Sequence, residues 1–243
     1  MACYNRHVPS SSSSPRTPSP SAQALTRAFD LYIFDLDGTL VDSRMDLAAA
    51  VNFAREALGL PALSLVTVSG YVGEGVAKLM ERSLGPEHSA HLDEATELFR
   101  AHYGAHLVVH TRAYEGAAQV LQTLRKRGAR VAVATNKPER FSRVILERLG
   151  LMPHVEALVG GDSLPQRKPD PLPLLTLCAN FEIAPGRTLM VGDSPIDARA
   201  ARASGVSMCA VTYGIGTRAE LLAQAPDFVA ESTRGVLEVG ATV

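Results

Sequence analysis

Hydrophobic positions along this chain follow two rhythms, and the change between them falls near Glu115. The first apolar run, Leu31-Tyr-Ile-Phe34, is β-branched and aromatic, which predicts a buried strand leading directly into Asp35-Leu-Asp-Gly-Thr39. Over 45–58 apolar residues recur at helical spacing and stop at Gly59 and Pro61. Further helices are expected over 74–84 and 92–107, separated by Gly85-Pro86, with no strand pattern between Ser43 and His110. Beyond Glu115 helices (115–127, 139–149, 171–179, 195–203) alternate with short apolar strands (131–134, 157–159, 188–191, 206–211). Such alternation argues for an α/β fold, a doubly wound parallel sheet with a Rossmann-like core covered by helices on both faces. The earlier segment reads as a small all-helical domain inserted after the first strand. The expected division is a tail over 1–28, a core formed by 29–43 and 111–243, and a helical insert over 44–110.

With 243 residues, 46% of them hydrophobic, the chain can bury a core of ordinary size. A formal net charge of −1 gives no broad basic field, which counts against nucleic acid or an anionic membrane as partner. Cys3, Cys178 and Cys209 are odd in number and widely spaced, so they form neither a disulfide framework nor a zinc pattern, and a reducing cytoplasmic interior is expected. No apolar run approaches the ~20 residues that span a bilayer. Residues 1–28 are rich in Ser, Pro and Ala, contain no acid, and carry Arg6, Arg16 and Arg27. A disordered extension, a start codon placed too early, or an organellar transit peptide all produce that composition.

Four stretches put chemistry at the carboxyl ends of expected strands, where ligands bind in sheets of this kind. Asp35 and Asp37 stand two apart in an extended segment and so face one side; at neutral pH they repel unless a cation or proton lies between them. A solvated Asp-Gly turn would give the same residues. Thr135-Asn136-Lys137-Pro138 opens a helix after strand 131–134, and a Thr hydroxyl beside free backbone N–H groups can hold a phosphate, although simple capping also accounts for it. In Gln166-Arg-Lys-Pro-Asp-Pro171, Lys168 offers an ammonium able to neutralise the carboxylates and an incoming phosphate alike, or is merely an exposed loop lysine. Asp193 follows strand 188–191 behind Gly192, with Ser194 as a helix cap and Asp197 one turn on. Three carboxylates with one lysine suit a hard divalent cation, and magnesium binds through one or two carboxylates plus phosphate oxygens.

With these four stretches the chain resembles the haloacid dehalogenase superfamily of phosphohydrolases over residues 30 to about 230. Asp35-Leu-Asp-Gly-Thr39 matches its first motif, Thr135 its second, Lys168-Pro169 its third, and Gly192-Asp193-Ser194 with Asp197 its fourth. The helical insert corresponds to the cap domain of its first subclass. Asp37-Gly-Thr-Leu-Val-Asp-Ser43, Gly70-Tyr-Val-Gly-Glu-Gly-Val-Ala-Lys-Leu-Met80 and Tyr213-Gly214 are most similar to phosphoglycolate phosphatases, while Arg44-Met45 stands where that group often has Ala-Pro or Val-Pro.

The resemblance implies magnesium-dependent hydrolysis of a small phosphorylated metabolite, 2-phosphoglycolate first, by a monomer or homodimer. Under it Asp35 is the nucleophile that forms an aspartyl-phosphate, and Asp37 is general acid and then base. Mg2+ is held by Asp35, the Asp37 carbonyl and Asp193. Thr135, Asn136 and Lys168 bind the phosphoryl group, and Asp197 orients Lys168 or supports the metal. Gly73 and Gly75 shape a cap loop over the substrate, or an ordinary turn. Because the superfamily's dehalogenases lack an acid at position 37 and its ion pumps carry Thr there, Asp37 indicates a phosphatase or phosphomutase. A sugar-phosphate phosphatase, a phosphomutase or a pyrophosphatase remain alternatives on the same core, and a phosphate-binding regulator without turnover is the alternative of another class. Two clusters are read as structural. His102, His106 and His110, four apart, make a solvated helix face, and Arg125-Lys-Arg127 suits a helix end before Gly128.

Overall fold

The computed structural model describes residues 29–240, so the readings of residues 1–28 and of Cys3 lie outside the described residues. Strand β1 (Leu31–Phe34) is followed by the two-residue β2 (Val41–Asp42) and then by helices α1 (Arg44–Ala57), α2 (Leu65–Ser69), α3 (Val76–Leu84) and α4 (Leu92–Ala105). Strand β3 (Arg112–Ala113) returns antiparallel to β2, setting Val41 opposite Ala113 and Asp42 opposite Arg112. The alternating part runs α5 (Ala117–Lys126), β4 (Arg130–Ala134), α6 (Glu139–Arg148), β5 (Ala157–Val159), α7 (Leu172–Asn180) and β6 (Thr188–Gly192). It ends with α8 (Pro195–Ser204), β7 (Ser207–Val211), α9 (Arg218–Leu222) and β8 (Phe228–Ala230).

Six strands form one parallel sheet in the order β5-β4-β1-β6-β7-β8. After β4 and β5 have built one side of β1, the chain crosses to the other side for β6, β7 and β8, which makes the carboxyl ends of β4, β1 and β6 the place where strand order reverses. β1 is buried throughout because both faces are covered. Tyr32 and Phe34 pack into a core with α5 and α6, whereas Leu31 and Ile33 pack with α7 and α8. Burying each such side chain stabilises by about 1.5 to 3 kcal/mol.

The first of those cores continues without a break into the helical cap, where Leu47, Leu79, Phe99 and Tyr103 join it. The cap is tied to the core at its base. Asp46, in the first turn of α1, accepts hydrogen bonds from the N–H groups of Val109 (3.0 Å), His110 (2.9 Å) and Thr111 (2.8 Å) and from the Thr111 hydroxyl (2.7 Å). Burial alone would raise its pKa, but these donors hold the carboxyl below its ordinary value.

Several expected boundaries shift for local reasons. α3 begins at Val76, not 74, because Gly73 and Gly75 lie at φ 122° and 89°, outside any helix. α4 ends at Ala105 with the His106 ring against the His102 carbonyl, so His110 is not on that helix. His102 is not simply solvated either: its ring is stacked between Phe53 (4.4 Å) and His106 (4.3 Å). β7 starts one residue later than expected, at Ser207. Helices α2 and α9, the β2–β3 pair and β8 have no counterpart in the sequence reading. The β-branched Val66, Thr67 and Val68 mask α2, which the Ser64 cap on the Thr67 N–H supports. Among the described residues no helix is long and apolar enough to cross a membrane.

Candidate active site

Register between adjacent strands sets the first two carboxylates side by side. Phe34 of β1 lies opposite Val191 of β6, and the Asp35 N–H donates to the Val191 carbonyl at 2.9 Å. Asp35 therefore leaves the sheet next to Asp193, which follows the last residue of β6. The loop after β1 must pass against Asp193. At Gly38 a Cβ would sit 2.0 Å from Asp193 Oδ2, and φ is 85°, so only glycine fits there. Asp193 itself is held by three donors: the N–H groups of Ile215 (2.7 Å) and Gly216 (3.2 Å) on Oδ2, and the Thr39 hydroxyl (3.2 Å) on Oδ1.

Lys168 is not an exposed loop lysine. It is buried, with Nζ 2.6 Å from Asp197 Oδ1 and 2.9 Å from Asp35 Oδ1. Burial works against its charge, yet Asp197 and Asp35 outweigh that and raise its pKa. Asp197 does double work: its second oxygen accepts from the Ser194 N–H and hydroxyl, while the Ser194 side chain caps α8. Lys168 thus meets two of the carboxylates, while Asp37 has a cation of its own. Lys137 Nζ donates to Asp37 Oδ1 at 2.9 Å and Oδ2 at 2.8 Å, and the Ser43 hydroxyl also donates to Oδ1. On its other side the Lys137 ammonium stands 4.7 Å from the centroid of the Tyr103 ring, contributed by the cap.

Asp35, Asp193 and Asp197 offer carboxylate oxygens that all lie within 4.8 Å of one another, the sole such grouping of acid, His or Cys ligands among the described residues. Burial, then repulsion within the cluster, pushes the Asp193 carboxyl up to about 7. For Asp35 burial again dominates, Lys168 opposes it, and Asp197 and Asp37 add to it, leaving a value near 6. Asp35 Oδ1 is buried beside the Lys168 ammonium without a hydrogen bond of good geometry. Four carboxylates here face two ammoniums, an excess of negative charge that one divalent cation would cancel. This donor set, all oxygen, suits a hard cation such as Mg2+.

Beside the carboxylates a cavity of about 50 Å³ lies between cap and core. Asp35, Asp37, Thr135, Asn136 and Lys137 line it from the core, Gly73 and Gly75 from the loop before α3, and Tyr103 from α4. Thr135 closes β4, where its hydroxyl accepts the Lys137 N–H at 3.2 Å. Asn136 fastens the cap loop to the Lys168 loop: Nδ2 donates to the Gly73 carbonyl at 2.9 Å and the Lys168 carbonyl at 2.8 Å, while Oδ1 is buried without a partner. Lys137 and Tyr103 are the residues the sequence reading overlooked. One signal for Lys137 was present, since a lysine just before a helix start opposes the helix dipole and so implies a nearby acid.

Comparison with known proteins bears on the same part of the chain. The sequence pattern described as Haloacid dehalogenase-like hydrolase matches residues 32–211, the span from β1 to β7 that carries all four carboxylates and both lysines. A protein of Thiobacillus denitrificans named phosphoglycolate phosphatase is 42% identical over 187 residues, covering 75% of this chain and 82% of the relative. One of the same name from Nitrosospira multiformis is 45% identical over 187 residues, with the same coverage. Among solved structures, a predicted phosphoglycolate phosphatase from Haemophilus somnus superposes with a TM-score of 0.83 at 32% identity, covering 88% of this chain and 98% of that one. With the family pattern covering most of the chain and relatives above 40% identity, the chain belongs to the haloacid dehalogenase-like hydrolase family.

Proposed function

We propose that this hydrolase is a magnesium-dependent phosphatase acting on a small phosphate monoester, with 2-phosphoglycolate the first candidate. The observation that carries the reading is the pairing of two differently held carboxylates at one cavity: Asp35, whose Oδ1 meets only the Lys168 ammonium, and Asp37, held by Lys137 and Ser43. The names of the relatives support the choice of ester.

In this reading Asp35 attacks phosphorus and carries the phosphoryl group as an aspartyl-phosphate. Asp37 protonates the departing alkoxide and then takes a proton from the water that hydrolyses the acyl phosphate. Thr135 and Lys168 hold phosphoryl oxygens, and Asp197 keeps Lys168 in place. A cation bound by Asp35, Asp193 and the Asp37 carbonyl would supply charge neutralisation to the phosphoryl group. Such breadth is needed, because phosphate-monoester hydrolysis demands on the order of 20 kcal/mol or more, whereas one general acid contributes about 3 to 5. We take residues 44–110 as the cap, which admits the ester and then excludes water. Cys178 and Cys209, free and buried, support a cytoplasmic setting.

The test is phosphate release from 2-phosphoglycolate, sugar phosphates, nucleotides and pyrophosphate, with Mg2+ and with EDTA, for wild type beside Asp35→Asn. Hydrolysis led by 2-phosphoglycolate, and lost with EDTA and in the variant, is the expected result. Turnover that survives Asp35→Asn would sink the nucleophile assignment, and a different leading ester would sink the choice of substrate.

A further inference from the structure

The residues assigned so far account for the phosphoryl group and not for the rest of the ester. What remains of the cavity is mostly apolar, walled by Leu47, Val72, Val76, Leu79, Phe99 and Phe141. Two polar groups interrupt that wall. Lys137 is buried and charged; its ammonium has three donors, and the bonds to Asp37 use two of them. Tyr103 is 1% exposed, lines the same cavity beside the Lys137 ammonium, and has a hydroxyl that makes no hydrogen bond of good geometry. A buried phenol left unpaired costs stability unless a ligand completes it.

We propose that Lys137 and Tyr103 form an anion-recognising subsite that binds a carboxylate on the leaving group of the ester, and so select an acidic substrate over a neutral one. The proposal rests on the phosphatase reading above. Both groups are donors, and a carboxylate accepts from both at once, with a charge-assisted bond from the ammonium. Apolar walls exclude water around the contact and strengthen it. The cavity is small, about 50 Å³, which suits a compact leaving group. Because Tyr103 belongs to α4 of the cap and Lys137 to the core, the carboxylate would also bridge the two parts. Asn136 Oδ1, an unpaired acceptor at the same cavity, would instead favour a leaving group with a hydroxyl, so a hydroxyl-bearing ester is the right competitor in the test.

The experiment compares kcat/KM for 2-phosphoglycolate and for 2-hydroxyethyl phosphate, which has a hydroxymethyl in place of the carboxylate, in wild type, Lys137→Met and Tyr103→Phe with Mg2+. Wild type should favour the acid, and that ratio should fall about 10- to 100-fold in Lys137→Met and by about tenfold in Tyr103→Phe, chiefly through KM. Methionine keeps the apolar stem, and phenylalanine keeps the ring, so a general loss of packing would lower both esters together and leave the ratio alone. An unchanged ratio in folded Tyr103→Phe and Lys137→Met overturns the subsite; should Lys137→Met not fold, the Tyr103→Phe ratio decides alone. Wild type that prefers the neutral ester overturns the subsite while the phosphatase reading stands, whereas wild type that hydrolyses neither ester, nor any other in the wider panel, removes both.

Discussion

Asp193→Asn should make the metal-free protein more stable while it abolishes activity. Asp193 ionises near pH 7 in the fold against an ordinary 3.8, because burial and the neighbouring Asp35 and Asp197 disfavour its charge. At about 1.4 kcal/mol for each pH unit, that gap amounts to about 4 kcal/mol of destabilisation above pH 7. Asparagine removes the charge and keeps the bonding: its Oδ1 can accept from Ile215 and Gly216 while its Nδ2 donates to the Thr39 hydroxyl oxygen. Since Asp35 shares the repulsion and relaxes with it, about half, roughly 2 kcal/mol, is expected, equivalent to a Tm rise of about 4 to 8 °C. The pH dependence has a definite sign. Between about pH 4 and pH 7 the unfolded chain has released this proton and the folded chain has not, so metal-free wild type loses stability as pH rises through that window. The advantage of Asp193→Asn is therefore largest at pH 8 and shrinks toward pH 4. Calorimetric melting of both proteins in EDTA across that range is the assay, followed by Mg2+ addition, which should stabilise wild type far more than the variant. A variant no more stable than wild type at pH 8, or an advantage equal at pH 4 and pH 8, would refute the account of a charge-strained site.

Asp37→Asn should keep the fold and lower turnover about 10²- to 10⁴-fold, measured as phosphate release, because it removes the group assigned to proton transfer. Gly38→Ala should abolish activity and Mg2+-dependent stabilisation, since its Cβ would overlap Asp193 Oδ2 at 2.0 Å and the residue sits at φ 85°. Asp46→Ala should destabilise by about 3 kcal/mol in denaturant unfolding, because it strips the N–H groups of Val109, His110 and Thr111 of their acceptor. With Asp46 held below its ordinary pKa, that contribution is present above about pH 4 and is lost as pH falls through the folded value, so the gap between wild type and Asp46→Ala should narrow in acid.

What the sequence by itself determined was whatever depends on neighbours along the chain. Apolar runs such as Leu31–Phe34 and Thr188–Gly192 appear as strands because they are buried from both sides, and a residue that follows such a run stands at the carboxyl edge of the sheet. That is why Asp35, Thr135 and Asp193 could be placed before any fold was known. The Thr217 to Glu220 capping box marked α9 just as plainly, but a five-residue helix leaves too little periodicity to be noticed beside it. Tertiary structure alone decided which charge meets which. Lys168 and Lys137 are both cations in loops before helices, and only the packing of α7 and α6 gives the first to Asp35 and Asp197 and the second to Asp37. Asp46 stands where a first-turn acid suits a helix dipole, yet it fastens the segment leading into β3 across 63 to 65 positions of sequence. Tyr103 reads as one more apolar residue on α4 and meets Lys137 only because the cap folds over the sheet. Contacts of that range depend on where whole elements come to rest, which local periodicity and spacing do not encode.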